Sequence, residues 1–137
     1  MGVDARIESE MRDSLAAVAD PRGDFVWALG MLELEPTMCL SVIDPYGHTV
    51  FNQRQLPVLL SELENASRRL NDLQLQQAKR TYLQEAASWP PAALAAARAR
   101  VASLSLSDVQ DHIARVASLV RKALELGAHR YVRFIGD

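Results

Sequence analysis

Between Asp44 and Asn52 the chain reads DPYGHTVFN, which sets a carboxylate, a phenol, an imidazole and a carboxamide close together. An imidazole held by a carboxylate is a common proton-transfer pair, so Asp44, Tyr46 and His48 are the candidate acid/base residues. The same residues also meet a backbone requirement. In Asp44-Pro45-Tyr46-Gly47 the acid stands first, where it accepts a main-chain hydrogen bond. Proline stands second with its φ already fixed, and glycine stands fourth, where a positive φ is wanted: the pattern of a type I turn. Asn52 suits a helix cap and Pro57 the first turn of a helix. The turn reading accounts for most of these polar side chains. The expected catalytic set is therefore empty, with Asp44, Tyr46 and His48 the residues to test if an activity exists.

Other reactive side chains are thinly spread. Glu33 and Glu35 share a face if MLELEP is extended, and two carboxylates can bind a divalent cation. A strand edge guarded by like charges is the commoner use of such a pair. His112 and His129 lack the one-turn spacing of a metal-binding helix, and no second cysteine stands beside Cys39. Cys39 lies in an apolar run with nothing adjacent to lower its pKa, so it reads as a small buried side chain. The chain has no Gly-x-Ser-x-Gly elbow, P-loop or dinucleotide fingerprint. Neither a metal nor a cofactor is expected.

The elements that must position these residues follow from periodicity. Val3, Ala5 and Ile7 alternate with Asp4, Arg6 and Glu8, the period of a half-buried strand, and a second short strand covers Leu15 to Val18. Asp20, Pro21, Gly23 and Asp24 form a loop. From Phe25 to Leu34 apolar residues fall at both helical and strand spacing, so that segment stays open. Met38 to Ile43 and His48 to Phe51 suit strands, which makes the Asp44 turn the tip of a hairpin.

Leu56, Leu59, Leu60, Leu63 and Leu70 share one helical face, and Leu75, Ala78, Tyr82, Ala86 and Trp89 a second one rotated from it. The rotation predicts a break near Asn71-Asp72. Pro90-Pro91 ends that helix and begins another, with Leu94, Ala97, Val101 and Leu104 in line. Ser107 and Gln110 form a capping box for a last helix with Val109, Ile113, Val116, Val120 and Ala123 inward, and Gly127 stops it. In HRYVRFIGD both alternations are apolar, which predicts an interior strand covered on both faces. Residues 1-137 thus form a single α+β domain. The expected sheet is mixed and mainly antiparallel, built from N-terminal strands plus the C-terminal one, with three or four helices on one face.

With 137 residues, 49% of them hydrophobic and 23% charged, the chain can bury a core of its own. Its 15 basic and 17 acidic side chains leave a formal charge of −2. That balance offers no broad field for a phosphate backbone or an anionic membrane. The basic pairs Arg68-Arg69, Lys79-Arg80 and Arg121-Lys122 are offset by Glu62, Glu64, Glu85 and Glu125, so nucleic acid is not an expected partner. No apolar run is long enough to span a bilayer, and the charged start MGVDARIESE is no secretion signal. With its single cysteine, the chain is expected in the cytoplasm.

VIDPYGHTVFNQRQLPVLLSELE together with the terminal YVRFIGD resembles a group of small bacterial proteins to which no activity is assigned. That group has an acid after the turn glycine, where this chain has His48. The resemblance implies a bacterial origin and a fold built around the hairpin. The expected function is that of a non-enzymatic protein-binding domain, as in immunity proteins against bacterial toxins. The alternative is a small enzyme using Asp44, His48 and a carboxylate from the front strands. Exposed apolar residues on the helices, Trp89 among them, would also suit a homodimer face.

Overall fold

The computed structural model describes residues 2–33 and 35–137. Among these the chain forms strands β1 (Val3–Ser9), β2 (Ser14–Val18), β3 (His48–Phe51) and β4 (Arg130–Gly136), with helices α1 (Asp24–Met31), α2 (Leu56–Arg69), α3 (Asp72–Ala86), α4 (Pro91–Ser103) and α5 (Leu106–Leu126). The sheet order is β2-β1-β4-β3. All three pairings are antiparallel. The fold is α+β, and the last strand to be made lies inside the sheet, as its apolar composition requires.

Strand register places Val3, Ala5 and Ile7 beside Phe134 and Val132 on one face, with Phe51 at the far edge. All six are at most 1% exposed. Against them lies α5, which buries Val109, Ile113, Val116, Val120 and Ala123 on the stripe its sequence displays. At the centre, Phe134 stacks on Phe25 of α1 at 5.5 Å and meets Phe51 edge-on at 5.8 Å. The opposite face of β4 is not covered by a second layer. There Tyr131, Arg133 and Ile135 are half-buried, and Arg133 Nε donates to both carboxylate oxygens of Glu8 at 2.6 and 2.9 Å. Cover on both faces was expected, but the second alternation is only half-buried, with the Arg133 side chain paired to Glu8 and beside His48 across that face.

The open segment Phe25–Leu34 resolves into α1, with Phe25, Ala28 and Met31 buried; Leu34 lies outside the described residues. Gly23, at φ 71°, starts the helix in a left-handed conformation that glycine adopts without strain. Glu33 and Glu35 do not form a strand edge: each amide closes a turn, onto Gly30 and Leu32 respectively.

Met38 to Ile43 is not a strand, so the Asp44 turn is not the tip of a hairpin. A 3-10 turn, Leu40–Val42, stands there. The reason is Glu62 on α2, whose carboxylate accepts the N–H groups of Met38, Cys39 and Leu40 at 2.8, 2.6 and 3.4 Å. A carboxylate taking successive main-chain donors leaves none for a ladder. The break between α2 and α3 falls as predicted, with Asn71 and Gln74 closing a reciprocal capping box. The cap of α5 is Ser105, whose Oγ accepts from Asp108 N at 3.1 Å, in place of Ser107. Gln110 reaches instead to the carbonyls of Ser67 and Leu70 at the end of α2. No helix among the described residues is long and apolar enough to cross a membrane.

Candidate functional site

The stretch from Asp44 to Asn52 is folded as a turn leading into β3. Asp44 Oδ1 accepts from Tyr46 N at 2.9 Å, and Gly47 N donates to Asp44 O at 3.4 Å. Asn52 Oδ1 accepts from Arg54 N and Gln55 N, closing the turn that precedes α2. Gly136 N donates to Gly47 O at 2.8 Å and pins the turn to the end of β4. Tyr46 is 72% exposed. His48 faces the open side of the sheet, where its Nδ1 meets Arg133 Nη1 at 3.4 Å rather than Asp44. The front-strand carboxylate of that neighbourhood is Glu8, and it is held by Arg133.

A different constellation is assembled from parts that carried no motif. Asp20 from the β2–α1 loop, Asp24 from the first turn of α1 and His112 from α5 are all buried, and one ligating atom of each lies within 4.8 Å of the others. Asp20 is a tie: its Oδ2 accepts from Val3 N at 3.1 Å and Phe25 N at 3.2 Å, joining β1 to α1. Asp24 Oδ1 accepts from Arg100 of α4 at 3.0 Å. The His112 ring sits beside Phe25, with its Nε2 3.9 Å from Asp20 Oδ1. Neither of those two buried atoms has a hydrogen-bond partner among the described residues. A cleft of about 580 Å³ leads from the cluster past Asp108, Asp111 and Arg115.

The protonation state of His112 follows from its neighbours. Arg115 Nη2 lies 3.3 Å from Nδ1, and a guanidinium can only donate, so Nδ1 is bare. In the neutral ring the proton then sits on Nε2, aimed at Asp20. Burial pushes the His112 pKa down, against the upward pull of Asp20, Asp24 and Asp4; Arg115 assists the burial. Because the folded ring resists protonation, unfolding takes up a proton once the pH drops below the ordinary value of 6.5. The contribution to stability is full above that value and is lost as pH falls toward the lower folded pKa. Urea midpoints in metal-free buffer should therefore fall between about pH 7.5 and about pH 5.5, before most carboxylates titrate. His112→Gln should flatten that slope.

A second cleft, about 1180 Å³, lies between α1 and the α3–α4 hairpin. Its floor is Val26, Trp27, Met31, Leu73, Ala78 and Tyr82. Trp27, Tyr82 and Trp89 form a chain of edge-to-face contacts, with centroids 5.0 and 5.7 Å apart. Glu33 and Glu85 stand on the rim without an ion pair among the described residues, while Arg100 is held by Asp24 and Arg22 by Asp108. The free charge of the cleft is negative. Sequence had marked Tyr82 and Trp89 as one stripe but could not place Trp27 opposite them.

Cys39 is buried, and burial together with the Glu62 carboxylate pushes its thiol pKa up. A protonated thiol is a poor nucleophile. The chemistry within reach is thus a neutral imidazole with two buried carboxylates, and beside it an acidic, aromatic cleft. Neither protein-family models, nor curated proteins, nor solved structures contain a match to this chain.

Proposed function

We propose that this chain is a non-enzymatic protein-binding domain of the bacterial cytoplasm, of the immunity type, and that the cleft between α1 and α3 receives its partner. The observation that supports the reading is the make-up of that cleft. Its lining is apolar and aromatic, and Leu73 within it is 75% exposed. Aromatic anchors in a groove with a polar rim are the usual build of a protein-binding hot spot. Glu33 and Glu85, which have no ion pair among the described residues, favour a partner segment with an apolar side chain flanked by Lys or Arg. A toxin that acts on nucleic acid carries such basic surface, because it must bind phosphate. The bacterial assignment rests on the resemblance around the Asp44 turn and the terminal strand.

The test is photo-crosslinking in the native cell, with a benzophenone amino acid at Gln77 in the cleft or at Val50 on the open sheet face. A discrete adduct from position 77, absent from position 50 and lost with Leu73→Glu, is the expected result. Leu73→Glu should weaken binding by about 30-fold or more, the loss typical of a hot-spot anchor. No adduct from position 77, or an adduct from position 50 alone, would overturn the reading. An adduct of twice the chain mass would make the cleft a homodimer face instead.

A further inference from the structure

We infer that Asp20, Asp24 and His112 form a binding site for one divalent transition-metal ion, with Asp20 Oδ1, a carboxylate oxygen of Asp24 and His112 Nε2 as protein ligands. Two observations carry this independently. The first is placement: three potential ligands from three separate elements converge, all buried, with their ligating atoms within 4.8 Å of one another. The second is the pair of orphans. Asp20 Oδ1 and His112 Nε2, in residues 2% and 1% exposed, lie 3.9 Å apart, and neither has a hydrogen-bond partner among the described residues. Unpartnered buried polar atoms are costly, and native folds keep few of them.

The dimensions suit an ion. Two ligands about 2.1 Å from zinc at the tetrahedral angle lie about 3.4 Å apart, so Asp20 Oδ1 and His112 Nε2, 3.9 Å apart, need to close by only about half an ångström, and ligand atoms at the 4.8 Å limit of the cluster by about 1.4 Å, within reach of a carboxylate rotation. The carboxylates are also oriented as ligands usually are. Asp20 is fixed through its other oxygen by two main-chain N–H groups, and Asp24 by Arg100. One nitrogen and two oxygens, with no sulfur, suit zinc, manganese, iron(II) or cobalt(II) better than magnesium or calcium, which take oxygen ligands alone. The remaining coordination positions would face the cleft past Asp108 and Asp111, which gives the ion an entry path.

Arg115 supplies a distinctive consequence. Its contact with Nδ1 keeps the imidazole proton on Nε2, the atom an ion must take. Binding therefore moves that proton to Nδ1 and displaces the Arg115 guanidinium, which lies on the exposed side of α5. No proton leaves the ring, and no electron is transferred. Arg115 thus acts as a competitor of the ion, and its removal should tighten binding although it is no ligand.

The experiment titrates chelator-treated full-length protein separately with zinc, manganese and cobalt(II) salts, by calorimetry and, for cobalt, by visible absorption. The expected result is one ion per chain, visible cobalt bands of nitrogen-oxygen coordination, and a shift of the His112 ring nitrogens by NMR. Asp24→Asn should weaken binding by about 10- to 100-fold, and Arg115→Ala should strengthen it several-fold. Circular dichroism reports whether each variant folds. Should Asp24→Asn fail to fold, the wild-type NMR spectrum decides alone, because ligation at Nε2 shifts that nitrogen and an ion held elsewhere does not. No binding at about 100 μM metal, or binding that leaves the His112 ring unshifted, overturns the inference.

Discussion

Asp20→Ala is expected to destabilise the protein by about 3–5 kcal/mol, the range for breaking a buried charged hydrogen-bond network. Asp20 is 2% exposed, and its Oδ2 is the acceptor for both Val3 N and Phe25 N. Alanine leaves those two donors buried and bare, at about 1–3 kcal/mol each, with a partial offset from removing a buried charge. It also removes the side chain that ties the start of β1 to the first turn of α1. Asp20→Asn keeps an acceptor for the amides and should lose less than half as much. Urea unfolding followed by Trp27 and Trp89 fluorescence measures both. A loss below about 1 kcal/mol for alanine would mean that water reaches those amides and that the tie is not buried.

Phe134→Ala should cost a similar amount, about 3–5 kcal/mol, for a different reason. Phe134 is 0% exposed and stands on the interior strand, opposite Ala5 on β1 and Thr49 on β3. Both cross-strand neighbours are small, so the ring supplies the bulk at that level of the sheet, where it packs against Phe25 and Phe51. Ladders on both sides fix the β4 backbone, so the walls cannot collapse into the void, and a cavity penalty adds to the lost transfer energy. The melting temperature should fall by about 10–20 °C. Phe134→Leu, which keeps most of the volume, should cost about a third as much. The two alanine variants share Phe25, whose amide Asp20 holds and whose ring Phe134 stacks on, so their effects should not add.

Where one residue's burial was set by its immediate neighbours, the sequence was easy to interpret. Val3, Ala5 and Ile7 alternate because β1 has one face on the core. Val109 to Ala123 recur at helical spacing because α5 crosses that face as a single uninterrupted helix. The break at Asn71 was visible because the apolar stripe changes direction there. Phe25 to Leu34 resisted assignment for a physical reason: α1 buries Phe25, Ala28 and Met31 in the core while Val26 and Trp27 floor the cleft. A helix apolar on two sides has no single period.

The misreadings share one cause, which is polar contact over long sequence separation. Met38 to Ile43 has the composition of a strand, but the Glu62 carboxylate captures its amides from the next helix, and propensity does not register that. Asp20 and Asp24 were punctuation in a loop, and His112 a lone imidazole on a helix. Only the packing of α5 against the β2–α1 loop makes them a cluster, so a search for ligand spacing along one element could not find it. At the Asp44 turn the local reading held for Asp44, whose side chain accepts a main-chain amide, but Asn52 closes the turn before α2 instead of capping it, since Gln55 stands at the N-cap, and Gly47 is required by the close approach of Asp44 Oδ2 and not by a positive φ. The local reading was silent on His48, which the pairing of β3 with β4 turns toward Arg133.

The most direct test of the binding surface is chemical-shift mapping on the uniformly labelled chain with the partner recovered by crosslinking. Perturbed amides concentrated in α1 from Val26 to Met31 and in α3 from Leu73 to Tyr82, weakening as salt is raised, are the predicted result. Perturbations confined to Arg6, Val50 and Tyr131 on the open face of the sheet, with the cleft unchanged, would contradict it.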